Sequence, residues 1–138
     1  MKGAMDWVAL GALLAAVLGV VVAVWSHRKA TYAQIVVHYS ERFERLLDEL
    51  LHAMHVAREE PYEDPSKVPL PFVKYFNLTY EEWYMARKRY FPRGLWKLWI
   101  EDITVLVQEP VVRRAWEALR PTFERQPRFQ AFLDALSD

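Results

Sequence analysis

The chain has 138 residues, room for one ordinary domain and an appendage, and its 18 basic residues balance 18 acidic ones, so no global field draws it to nucleic acid. It contains no cysteine, which excludes disulfides, thiol nucleophiles and cysteine-rich zinc sites together. Of its four glycines, Gly3, Gly11 and Gly19 lie near the N-terminus, and Gly94 alone cannot build a phosphate-cradling loop or a dinucleotide fingerprint.

The first element in chain order is apolar. Residues 8–24, VALGALLAAVLGVVVAV, carry no charge, and Trp7 and Trp25 flank them. A helix over about 7–25 would rise about 28 Å, close to the thickness of a bilayer's hydrocarbon, with tryptophan at both interfaces. A cleaved signal peptide is the competing reading, but its basic region would be Lys2 alone and the run ends in AVWSHRK without a small-x-small site. The reading is therefore a retained membrane anchor over residues 1–29 and a helical domain over 30–138. Lys2 precedes the span, offset by Asp6, whereas Arg28, Lys29, Arg42 and Arg45 follow it. The positive-inside rule then puts the N-terminus outside and the C-terminal domain in the cytoplasm, as in a single-pass protein of the bacterial inner membrane. Gly11, Ala15, Gly19 and Ala23 recur every fourth residue, a stripe that lets a second helix approach closely, from a homodimer mate or a partner membrane protein. The abundance of Ala and Gly in the run is the competing explanation.

From Thr31 the pattern becomes amphipathic. Val36, Phe43, Leu50 and Ala57 recur at seven residues with Tyr39, Leu46 and Ala53 between them, which predicts a helix with one apolar stripe, serving a domain core or a coiled coil. Pro61, Pro65, Pro69 and Pro71 end it. Thr79 and Glu82 have the capping-box form T-x-x-E and predict a helix over roughly 80–90, closed by Pro92 and Gly94. Leu95, Trp99, Ile103 and Leu106 mark the next helix. Pro110 suits the first turn of another, Pro121 breaks or kinks it, and Phe129, Phe132, Leu133 and Leu136 share one side of a last short helix. No segment alternates as a strand does, so the predicted fold class is all-α, one N-terminal transmembrane helix followed by a four- to five-helix bundle.

Candidate chemistry is sparse. Asp48, His52, His55 and Glu59 fall at helical spacing, and Glu49 precedes His52 by three, but a di-iron bundle needs two Glu-x-x-His motifs and neither His27 nor His38 has a carboxylate three residues before it. A solvated polar face accounts for these residues, so no metal, cofactor or catalytic site is expected. The adjacent carboxylates Glu81 and Glu82, and Glu101 and Asp102, diverge by about 100° on a helix, and none of the serines stands in a nucleophile elbow. The stretch YFNLTYEEWYMARKRYFPRGLWKLW, residues 75–99, is dense in rings and cations. Tyr80, Trp83, Tyr84, Arg87, Tyr90 and Phe91 follow a helical stripe, as a core requires, with a single-strand stacking platform as the alternative. Arg87, Lys88, Arg89, Arg93 and Lys97 lie within eleven positions at a corner between helices. That corner is a candidate contact for anionic lipid or a partner; a solvated, ion-paired corner is the alternative, and nucleic acid ranks below both because the chain has no basic excess.

The residues Tyr75 to Leu78, Glu81 to Tyr84, Trp96, Trp99, Ile100 to Asp102, Pro110, Arg113, Trp116, Pro127, Phe129 and Phe132 resemble an uncharacterised family of small bacterial single-pass membrane proteins with a C-terminal all-helical cytoplasmic domain. Some relatives in that family are loosely associated with phage abortive infection. The resemblance covers the chain from about residue 70 and implies architecture and location, with no catalytic residue to carry over. The expected function is a non-enzymatic interaction or accessory protein of a membrane complex, as scaffold, sensor or subunit. The alternative is a membrane-tethered effector that uses the basic corner on lipid or nucleic acid.

Overall fold

In the computed structural model the backbone is described for residues 2–57 and 60–137, and of these the side chains of residues 12, 14–57 and 60–137. Among these residues the fold is all-α: α1 (Lys2–Val56), α2 (Leu70–Arg87), α3 (Arg93–Gln108), α4 (Pro110–Leu119) and α5 (Pro127–Ser137), with single 3-10 turns at Pro65–Lys67 and Arg120–Phe123. The chain divides into two compact units, Met1–Val36 and Val37–Asp138.

The first unit is helical. Leu14, Val17, Leu18, Val20, Val21, Val22, Val24 and Trp25 are all exposed. Thr31 donates its hydroxyl to the His27 carbonyl at 3.0 Å, and the Lys29 ammonium sits 3.6 Å from the centre of the Trp25 ring. Among the described residues no helix is long and apolar enough to cross a membrane. The transmembrane helix predicted over 7–25 starts in residues 7–11 and 13, whose side chains lie outside the described set.

The second unit packs five helical segments, the end of α1 and α2 to α5. Tyr39, Leu46, Leu50 and Ala53 of α1 are buried, so the apolar stripe after Thr31 serves the domain's own core. The capping box at Thr79 is corrected by the structure. The helix starts a full two turns earlier at Leu70, with Pro71 in its first turn, where a missing N–H leaves no hydrogen bond unmade. Thr79 is therefore mid-helix, buried, and its hydroxyl donates back to the Tyr75 carbonyl at 2.9 Å. Nor do Pro92 and Gly94 end this helix. Arg89 takes a left-handed φ of 61°, its N–H bonds to the Ala86 carbonyl and that of Tyr90 to the Met85 carbonyl, a Schellman closure with arginine where glycine is usual. Pro92 instead precedes α3, and Gly94 lies in its first turn.

Aromatic rings hold the unit together. Phe129 on α5, fully buried, meets Tyr80 at 5.2 Å, Trp83 at 5.4 Å, Phe123 at 5.2 Å and Trp116 at 5.9 Å between ring centres. Such tilted and edge-on pairs contribute about 0.5–1.5 kcal/mol each beyond the burial of their area. Of the ring stripe predicted for residues 80–91, Trp83 and Phe91 are buried, but Tyr84 and Tyr90 are exposed. Phe91 packs on Tyr39 and Trp99 and closes the turn between α2 and α3. Pro121 separates α4 from α5, and Asp134 joins them again by accepting from the Trp116 indole N–H at 3.0 Å and from the Arg120 guanidinium at 2.8 Å.

Replacing Phe129 with alanine removes the ring that five others meet, Phe132 being the fifth. Denaturant unfolding followed by tryptophan fluorescence should show a loss of about 3–5 kcal/mol, whereas a loss below about 1 kcal/mol would contradict the assignment of Phe129 to the core's centre.

Candidate functional site

The face of α2 adjoining the one that meets Phe129 carries Tyr75, Thr79 and Glu82, at spacings of four and three residues, which align them along one side of a helix. These residues look toward a cavity of about 210 Å³ bounded by α1, α2 and α3 of the second unit. Tyr39, Phe43 and Glu44 line it from α1, and Trp99, Asp102 and Leu106 from α3. The Tyr39 and Trp99 rings stand 6.2 Å apart between centres, tilted by 57°, and form an aromatic corner of the wall.

Two polar groups in this cavity are unusual. Glu82 is only 8% exposed, and burial pushes its carboxyl up to about 8, against a partial opposing pull from the Arg42 charge and a further push from Glu81. At neutral pH this side chain is therefore mostly protonated, and it can donate a hydrogen bond as well as accept one. The Tyr75 hydroxyl is buried and has no hydrogen-bond partner among the described residues. Burial raises its pKa, and the nearby Glu82 and Asp102 charges raise it further; the Thr79 hydroxyl is near enough to oppose the shift but is not placed to bond it. Arg42 does not fill the cavity, because its guanidinium is bound in two-pronged fashion by Glu81. The adjacent carboxylates thus diverge, Glu81 to Arg42 on the outside and Glu82 to the inside.

Sequence reasoning placed Glu82 in a cap and passed over Tyr75. The signal was present in Pro69-Leu70-Pro71, which is a helix first turn as well as the end of a linker. A helix begun there puts Tyr75, Thr79 and Glu82 on one face at once.

The other predicted residues lie elsewhere. Arg87, Lys88, Arg89, Arg93 and Lys97 are all exposed, and among the described residues none forms an ion pair. Arg87 lies over the Trp83 ring at 5.0 Å and Lys88 over Tyr84 at 5.5 Å. Together with Arg128 from α5 they border an open groove of about 410 Å³. In the first unit Ala15, Gly19 and Ala23 are exposed, and a Cβ added at Gly19 would meet nothing within 4 Å. The side chain position of Gly11 lies outside the described residues. Asp48, His52 and His55 are exposed, Glu59 is outside the described residues, and among those described no group of three or more histidine, aspartate or glutamate side chains is placed to hold a metal. No protein-family profile, curated protein or solved structure matches the chain.

Glu82 makes the stability of this site depend on pH. The unfolded chain releases its proton near 4.5 and the folded one near 8, so the folded form loses relative stability as pH rises between these values and the loss is complete above 8. Glu82→Gln is neutral throughout. Its stability relative to the natural chain should rise by on the order of a few kcal/mol between about pH 5 and pH 9 in parallel unfolding titrations, and a constant difference would show that Glu82 titrates as an ordinary carboxylate.

Proposed function

We propose that the protein is a membrane-anchored, non-enzymatic interaction protein, its N-terminal helix in a bacterial inner membrane and its C-terminal helical unit an accessory or sensing module in the cytoplasm. The observation that carries this reading is the uncharged run over residues 8–24, together with the exposure of every large apolar side chain described between Leu14 and Trp25. An isolated surface of that kind is a liability in water and suits a lipid environment. The Lys29 ammonium over the Trp25 ring adds a cation and an indole at one end of the run, the pairing favoured at an interface. The sequence resemblance to small single-pass bacterial membrane proteins supports the same reading, and the Gly11, Ala15, Gly19 and Ala23 stripe supplies a face for a homodimer mate or partner helix.

Membranes from cells producing the full chain should retain it through an alkaline carbonate wash; recovery in the soluble fraction would overturn the anchor. Crosslinking in those membranes should give a dimer or a discrete partner band that Gly19→Leu weakens roughly threefold or more, and a clean monomer would remove the packing role of the stripe.

A second reading is favoured by one observation. The exposed cations at the α2–α3 turn stand free of ion pairs among the described residues, and Arg87 and Lys88 share a groove with Arg128. In this reading the unit is a membrane-tethered effector, with phage defence as a candidate process, whose basic corner contacts anionic headgroups. A fragment spanning 37–138 should bind vesicles containing anionic lipid in a salt-sensitive manner and lose roughly fivefold in affinity for each of Arg87, Lys88, Arg89 and Arg93 neutralised. Absence of binding at low salt would remove this reading, and preference for RNA over vesicles would transfer the corner to nucleic acid.

A further inference from the structure

We infer that the cavity between α1, α2 and α3 is a binding site for a small organic cation, a protonated amine on an apolar body about the size of one ring. The inference goes beyond membrane anchoring and does not depend on it.

Volume sets the scale of the ligand. A cavity of about 150 Å³ accommodates a benzene ring, so the 210 Å³ here has room for one ring and a short polar extension. The charge of the lining sets its sign. The exposed Glu44 and Asp102 and the buried, mostly protonated Glu82 bring three carboxyl groups to the wall, and no lysine, arginine or histidine lines it. The walls between these groups are aromatic, with the Tyr39 and Trp99 rings meeting at a corner. Ring faces attract a cation, most strongly where water is excluded, so carboxyls and rings here select for the same ligand charge.

The Tyr75 hydroxyl is an independent indication of a ligand. Buried polar groups in folded proteins almost always have a hydrogen-bond partner, and an unpartnered one inside a cavity marks a place where something else supplies it. An ammonium has three donors and no acceptor. Tyr75, Thr79 and Glu82 are the α2 residues with side-chain acceptors among those that line the cavity, the Tyr75 hydroxyl itself being fully buried. Arg42, the nearest cation, is held outside by Glu81 and does not occupy the place.

Proton release should accompany binding. The groups around the Glu82 carboxyl are Tyr39, Arg42 and Glu44 on α1, Tyr75 and Glu81 on α2 and Asp102 on α3, and among them only Arg42 favours the ionised form. An ammonium seated against Glu82 would reverse that balance, and the carboxyl proton would leave to solvent as the ion pair forms. Affinity then increases with pH until Glu82 is ionised without ligand.

The test uses the purified full chain and phenethylammonium, with phenethyl alcohol as its neutral counterpart, in calorimetric or ligand-observed NMR titrations. The ammonium should bind saturably and at least about tenfold more tightly than the alcohol. Its affinity should strengthen by up to about tenfold per pH unit between about pH 6 and 8 and level off above. Tyr75→Phe removes an unpartnered buried hydroxyl and should fold at least as stably as the natural chain while binding the ammonium several-fold more weakly. Glu82→Gln should abolish the pH dependence. No saturable binding of the ammonium, equal affinity for ammonium and alcohol, or binding that ignores both pH and Tyr75→Phe would each overturn the proposal. The first two comparisons use the natural chain alone, so they decide the matter even where a substituted chain fails to fold.

Discussion

The packing of rings on Phe129 is the constraint from which the arrangement of the second unit follows. Tyr80 and Trp83 come to it from α2, Trp116 from α4 and Phe123 from the turn before α5, so a single side chain fixes the rotation of α2 about its own axis. With Tyr80 and Trp83 turned to α5, the residues on the adjoining face of the same helix, about 100° round its axis, look toward α1 and α3. Those are Tyr75, Thr79 and Glu82. The aromatic core thus places a polar line where an ordinary helix would offer more leucine, and the cavity follows from that placement.

A carboxylic acid in such a position is tolerated because it is neutral. Desolvation alone would make an ionised Glu82 very unfavourable, and holding the proton avoids that penalty. The neighbouring Glu81 has a different solution, since it reaches outward to Arg42 and shares the charge. The same pairing keeps Arg42 from entering the cavity and neutralising Glu82 directly. Two adjacent glutamates therefore perform unlike tasks, one fastening α1 to α2 and the other keeping a proton inside.

The all-helical class, the end of α1 before Pro61, Pro110 in a first turn and the final helix were legible in the sequence because proline marks helix boundaries and periodicity reports which face a helix buries. Phe129, Leu133 and the α1 stripe are where their spacing puts them. The start of α2 was not legible in the same way. T-x-x-E at Thr79 is a genuine capping pattern, but a cap forms only where the N–H groups of the following turn lack partners, and with residues 70–78 already helical those groups bond to carbonyls of the preceding turn. The error concealed the cavity, because a helix beginning at Thr79 leaves Tyr75 in a loop. The helix end was equally hidden, since arginine at a left-handed position has no sequence signature. Tyr84 and Tyr90 fit the stripe by spacing yet are exposed, Tyr90 because α2 has already ended at Arg87 and the helical period no longer applies.

The first unit stands under a different physical demand, with apolar side chains outward and small residues at every fourth position, whereas the second buries its rings and keeps its cations outside. Under the proposed function the second unit is the accessory or sensing module, and the coupling of ligand binding to proton release in its cavity turns on the charge state of one carboxyl. Carbon-detected NMR titration of the Glu82 side-chain carboxyl in the full chain measures it directly. A midpoint near 8 is the result this account predicts. A midpoint near the ordinary glutamate value of about 4.3 would mean that water reaches the carboxyl freely, and would contradict it.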